Sequence, residues 1–157
     1  MIVEDNPDLN LYLSDQLKKY GFQVSTQSNG RDALGFLEKQ HPDLIISDVM
    51  MPEVNGLELL NQVKQDFNTC HIPIILLTAK ASSANKMEGL EFGADDYLTK
   101  PFNLNELMIR GKNLIRQRRQ LKESFIRNPF NRPKQPKLNQ LDEKFLKSAL
   151  YKKILKI

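Results

Sequence analysis

Two stretches of the chain are almost continuously apolar, and each closes on polar residues. Leu44-Ile45-Ile46 runs into Ser47-Asp48 and then Val49-Met50-Met51-Pro52, while Ile72-Pro73-Ile74-Ile75-Leu76-Leu77 runs into Thr78-Ala79. Short apolar runs with turn residues at their ends predict strands buried on both faces. Around them the spacing turns helical. Leu9, Leu13 and Leu17, with Tyr12 and Tyr20, follow an Asn6-Pro7 start and stop at Gly21. Ala33, Leu34 and Leu37 follow Asn29-Gly30, and Leu57, Leu60, Val63 and Phe67 follow the loop Glu53-Val54-Asn55-Gly56. Ser82 or Ser83 can cap a fourth helix that Gly93 ends. A fifth opens on a capping box of Asn103 and Glu106 and shows Leu104, Leu107, Gly111, Leu114, Arg118 and Leu121 on one side. The remaining strands are a short apolar start ending in Glu4-Asp5, the alternating Phe22–Thr26, and Asp95-Asp96-Tyr97-Leu98.

Strand and helix thus alternate five times. That predicts an α/β fold, a (βα)5 doubly wound parallel sheet with helices on both faces. The composition shifts at Glu123. Three prolines, in Asn128-Pro129, Arg132-Pro133 and Gln135-Pro136, predict an extended linker over 123–138. From Asn139 the chain reads as a helix to Ile157, with Asp142 and Glu143 in its first turn and Leu141, Phe145, Ala149, Leu146, Leu150 and Ile154 as its apolar face. A lone helix of about four turns is marginal in water. The expected organisation is a domain over 1–122, the linker, and over 139–157 the first element of a truncated further domain.

Charge divides the chain in the same way. Residues 1–109 carry 8 Lys or Arg and 16 Asp or Glu, and residues 110–157 carry 15 and 3. A basic tail such as Arg116, Arg118, Arg119, Lys122, Arg127, Arg132, Lys134 and Lys137 suits a solvated face or nonspecific contact with nucleic-acid phosphates. It has no aromatic interleaving and no complete base-reading motif. No run approaches the roughly 18 apolar residues of a membrane span. The start Met1-Ile2-Val3-Glu4-Asp5 is not a targeting peptide, and the single Cys70 forms no internal disulfide, so a reducing, cytoplasmic setting is expected. His41 and His71 lack ligand spacing and read as loop residues.

The candidate chemistry lies at the strand ends, because open α/β sheets bind ligands at the C-terminal edge of their strands. With strand order 2-1-3-4-5, Glu4 and Asp5 of the first strand lie beside Asp48 of the third. Three clustered carboxylates repel one another unless a cation sits among them, and hard oxygen donors with room for water favour Mg2+. The backbone carbonyl of Met50 could supply a further ligand. Thr78 and Lys100 reach the same edge from the fourth and fifth strands. A hydroxyl and an ammonium beside an acidic metal site suit a phosphoryl group, with Asp48 as the nucleophile that forms an acyl phosphate.

Glu4-Asp5, Asp48 with Met51-Pro52 and Gly56, Thr78-Ala79 and Asp95-Asp96-Tyr97-Leu98-Thr99-Lys100-Pro101-Phe102 together resemble the receiver domain of two-component response regulators. The resemblance covers residues 1 to about 121 and implies a flavodoxin-like fold. It also implies that Asp48 takes a phosphoryl group from a kinase phosphohistidine, that Glu4 and Asp5 hold Mg2+, and that Lys100 and Thr78 contact the phosphoryl group. A cis Lys100–Pro101 peptide and an aromatic switch at Tyr97 follow from the same resemblance. Phosphorylation would draw Thr78 inward, let Tyr97 turn in, and remodel the face of the fourth helix, fifth strand and fifth helix, where members of the family often form homodimers. Receivers usually have a longer first strand than this chain, which would loosen Glu4 and Asp5.

A second, shorter resemblance lies in Asn128-Pro129-Phe130 and Leu141-Asp142-Glu143-Lys144-Phe145-Leu146. It is to hybrid two-component regulators, in which a receiver precedes an AraC-type helix-turn-helix domain. It implies a membrane-anchored histidine kinase fused to this receiver, with DNA bound only through a downstream domain. The competing enzyme reading is an Mg2+-dependent phosphatase or phosphotransferase with an Asp nucleophile. Haloacid dehalogenase-like phosphatases need a second Asp two residues after the first, and here that position is Met50.

Overall fold

The structure, a computed structural model, describes residues 1–79 and 93–127. Its strands are β1 (Ile2–Val3), β2 (Thr26–Gln27), β3 (Ile45–Asp48), β4 (Ile74–Ala79) and β5 (Asp96–Lys100). Between and after them lie α1 (Pro7–Lys19), α2 (Gly30–Leu37), α3 (Gly56–Gln65) and α4 (Leu104–Arg127). The sheet order is β2-β1-β3-β4-β5 and every pair is parallel, as the alternating pattern predicts. The helix expected between β4 and β5, and the linker and helix expected from Asn128 onward, lie outside the described residues.

The central strands are buried on both faces because successive side chains point to opposite sides. Val3, Ile45, Ile74 and Leu76 join one core with Ala33, Leu37, Leu59, Leu60 and Val63, the inner faces of α2 and α3. Ile2, Ile46, Ile75, Leu77 and Leu98 join the other with Leu13, Leu17, Leu107 and Met108, from α1 and α4. Burying a Leu or Ile stabilises by about 1.5–3 kcal/mol, so these two layers hold the sheet edge in place.

Local chemistry sets the element ends. Asn6 caps α1, its Oδ1 accepting from the amides of Asp8 and Leu9 at 3.0 Å each, with Pro7 in the first turn. Gly21, at φ 85°, takes the left-handed turn after Lys19 that a Cβ would oppose. The reciprocal capping box sits at Asn55 and Glu58, at the head of α3. At α4 Asn103 caps the amide of Asn105 instead, and Glu106 turns to Arg110.

The second strand departs from its expected place. Alternation marks Phe22–Thr26, yet only Thr26 and Gln27 pair, opposite Ile2 and Val3. A two-residue β1 offers a two-residue partner, so the apolar residues Phe22 and Val24 pack beneath the sheet as a loop. At the other boundary, α4 runs through Glu123 to Arg127, so residues 123–127 are helical.

Candidate functional site

At the C-terminal edge, β1 delivers Glu4 and Asp5 and β3 delivers Asp48 as its last residue. Glu4 is 2% exposed and Asp48 7%, whereas Asp5 faces solvent. Carboxylate oxygens of the three lie within 4.8 Å of one another. The Lys100 ammonium bridges the two buried acids, donating to Glu4 Oε2 and to Asp48 Oδ2 at 2.9 Å each. It comes from the last residue of β5, before a cis Lys100–Pro101 peptide.

The loop after Asp48 is held close. The Met50 amide approaches Asp48 Oδ1 at 3.4 Å, and the Gly56 amide donates to the Val49 carbonyl at 2.9 Å. A Cβ on Gly56 would fall 2.1 Å from the Asp48 carbonyl oxygen, so only glycine lets the head of α3 rest on the end of β3. Gly30, at the head of α2, donates its amide to the Val54 carbonyl from the far side of the same loop at 3.2 Å.

Burial is the largest influence on Glu4 and pushes its carboxyl above the usual range. The hydrogen bond from Lys100 opposes this, and the nearby Asp48 charge adds to it. For Lys100, burial pulls the pKa down, but the hydrogen bonds to Asp48 and Glu4 outweigh it and raise the ammonium above its ordinary value. The arrangement is a pair of buried acids neutralised by one internal cation. The third acid, Asp5, opens the cluster to water. Hard oxygen donors of this kind, partly solvated, fit a small divalent cation.

Thr78 sits on β4 one step past Leu77, the register partner of Asp48. It is half-buried, and its hydroxyl donates to the Ala79 carbonyl at 3.0 Å. Tyr97, opposite Leu76 on β5, packs against the core beneath α2 and α3. Its hydroxyl is buried without a hydrogen-bond partner among the described residues, and burial pushes its pKa to about 12. The structure thus gathers Glu4, Asp5, Asp48 and Lys100 into one cluster and sets Thr78 on the neighbouring strand. Sequence reasoning missed Asn10, whose side-chain amide donates to the carbonyls of Glu4 and Gln27. No local motif marks that contact.

A groove among the described residues lies elsewhere. It encloses about 1050 Å3 at the opposite end of the sheet, between α4 and the loops before β2 and β3, and is lined by residues such as Leu17, Phe22, Leu44 and Ile115. The convergence of buried charged groups makes the carboxylate cluster the stronger candidate site.

Comparison with known proteins adds to this geometry. The family model for the response regulator receiver domain matches residues 1–111. A histidine kinase from Formosa agariphila is 41% identical over 149 residues, which are 95% of this chain and 11% of that protein. The response regulator ArlR of Staphylococcus aureus is 39% identical over 120 residues, 76% of this chain and 53% of the regulator. The chain therefore spans about half the length of that regulator and a small part of the kinase. Among solved structures, the receiver domain of a Syntrophus aciditrophicus signal transduction histidine kinase superposes with a TM-score of 0.70 at 36% identity, covering 87% of this chain and 95% of that one. The receiver domain of a Pseudomonas aeruginosa sensor histidine kinase, solved with a magnesium ion coordinated in its active site cleft, gives 0.67 at 32% identity over 73% and 93%.

Proposed function

We propose, since this chain belongs to the response regulator receiver family, that Asp48 is the phosphoacceptor of a two-component signalling pathway. The observation that carries the reading is the buried Asp48 carboxylate, held at the end of β3 between Glu4, Asp5 and Lys100. An Asp48 oxygen attacks the phosphorus of a kinase phosphohistidine. The O–P bond forms, the P–N bond breaks, and the electron pair leaves with the imidazole. The product is an acyl phosphate on Asp48.

Glu4, Asp5, Asp48 and the Met50 carbonyl would hold Mg2+, which when bound neutralises charge on the phosphoryl oxygens. Lys100 is already at Asp48, so its ammonium can follow the oxygens that Asp48 acquires. Thr78 would turn its hydroxyl from the Ala79 carbonyl toward the new group, and Tyr97 would move into the space that Thr78 leaves. The face around β5 and α4 would then change for a partner, such as a second copy of the chain.

The kinase match supports a hybrid context. It extends over 95% of this chain, past the stretch that the receiver family covers, while the match to ArlR stops at 76%. On this reading the receiver belongs to a longer cytoplasmic assembly. Its kinase is in the same polypeptide, and an AraC-type domain after Ile157 controls transcription.

The test is labelling by acetyl phosphate with Mg2+, followed by intact mass. The wild-type chain is expected to gain one base-labile phosphoryl group, and Asp48→Asn none. Undiminished labelling of Asp48→Asn would overturn the assignment. Steady release of phosphate over many cycles would favour the phosphatase reading.

A further inference from the structure

We propose that Asn10 is a positioning residue for the divalent-cation site, an inference that rests on the reading of Glu4 and Asp5 as ligands. Those acids leave a strand of only two residues, so ladder hydrogen bonding alone does little to fix them. The Glu4 amide makes one further ladder bond, to the Gln27 carbonyl at 3.1 Å. Beyond it the ladder ends and α1 begins.

Asn10 takes over at that point. Side chains on a helix lean toward its N-terminus, so a residue in the second turn of α1 reaches back over the loop that precedes the helix. The Asn10 side-chain amide donates to the Glu4 carbonyl at 2.9 Å and to the Gln27 carbonyl at 3.1 Å. Both hydrogens of one NH2 group are used, and the exits of β1 and β2 are tied together at the residue before Asp5. Asn10 is half-buried, so these bonds are shielded from water. The Glu4 side chain is fixed separately, by Lys100 and by the Asn6 amide at 3.3 Å. Asn10 therefore sets the backbone from which Asp5 projects, and it touches no ligand oxygen itself.

Asn10→Leu keeps the shape and removes both donors. In calorimetric titration with Mg2+ its dissociation constant should rise about tenfold, the lower end of what losing a group that orients ligands costs. In labelling by acetyl phosphate, the Mg2+ concentration for half-maximal rate should rise by the same factor, and the rate at saturating Mg2+ should return to near wild type. A variant that was merely less folded would show a lower rate that Mg2+ saturation does not restore. Unchanged Mg2+ affinity in Asn10→Leu would overturn the proposal while leaving the phosphoacceptor reading intact. A wild-type chain that binds Mg2+ but is not labelled would overturn that reading and leave the role of Asn10 standing. A wild-type chain that binds no Mg2+ would sink the proposal.

Discussion

Glu4 carries the clearest consequence of a single side chain. Its carboxyl is raised by burial, so the folded protein holds that proton more tightly than the unfolded chain does. The resulting stabilisation is present below the ordinary glutamate pKa and is lost as pH rises through the raised one. A metal ligand must be ionised, so protons compete with the cation. Mg2+ affinity is therefore expected to weaken, as pH falls, before the range where an ordinary glutamate protonates is reached. Titrations from about pH 8 downward would check this, and an affinity flat to the ordinary glutamate pKa would contradict it. The positions of Asp48, Thr78 and Lys100 at the sheet edge were legible in the sequence because each stands at or next to the end of a strand. The bridge that Lys100 makes between Glu4 and Asp48 was not, since it depends on where a long flexible side chain comes to rest. Nor was the Tyr97 hydroxyl, buried without a hydrogen-bond partner among the described residues.

Among the elements, the junction of β3 and α3 is the least forgiving. Gly56→Ala would press a methyl group into the Asp48 carbonyl, which is backbone and cannot swing aside. A loss of about 1–3 kcal/mol is expected from overpacking, together with slower labelling of the displaced Asp48. Urea unfolding and acetyl phosphate labelling measure the two effects separately. A variant with wild-type stability and rate would show that the loop yields. Element type was readable from hydrophobic period for most of the described chain. The place of β2 was not, because pairing length is set by the neighbouring strand and not by the alternation of Phe22–Thr26 itself. The capping box at Asn55 passed for a plain loop, since Asn and Glu at that spacing serve both purposes.

On the scale of the molecule, a second set of buried charges sits at the other end of the sheet. The Lys64 ammonium, on the inner face of α3, donates to Asp95 Oδ2 and to the Ile72 carbonyl at 2.8 Å each. Asp95 also accepts from the Ile74 amide at 2.9 Å and from Arg118 of α4. Burial lowers the pKa of Lys64, and Asp95 opposes that shift. Asp95→Ala would leave a 4%-exposed ammonium without its carboxylate. Breaking a buried pair in this way costs about 3–5 kcal/mol. Urea denaturation should read that loss, and a change under about 1 kcal/mol would mean that water reaches the ammonium or that it gives up its proton. No sequence motif marks Lys64, and only the tertiary fold brings Asp95 and Arg118 to it.

These two ionic clusters share one element. Among the described residues β5 is an edge strand, hydrogen-bonded to the sheet along β4 alone. It is moored at its head through Asp95 and at its tail through Lys100. On the proposed function, Lys100 would exchange its contact with Glu4 for the phosphoryl oxygens on Asp48, so the tail mooring would change while the head keeps its contacts. A strand held at its head in this way would pivot there, so displacement would grow with distance from Asp95, and Tyr97, close to that end, would move through its side chain more than its backbone.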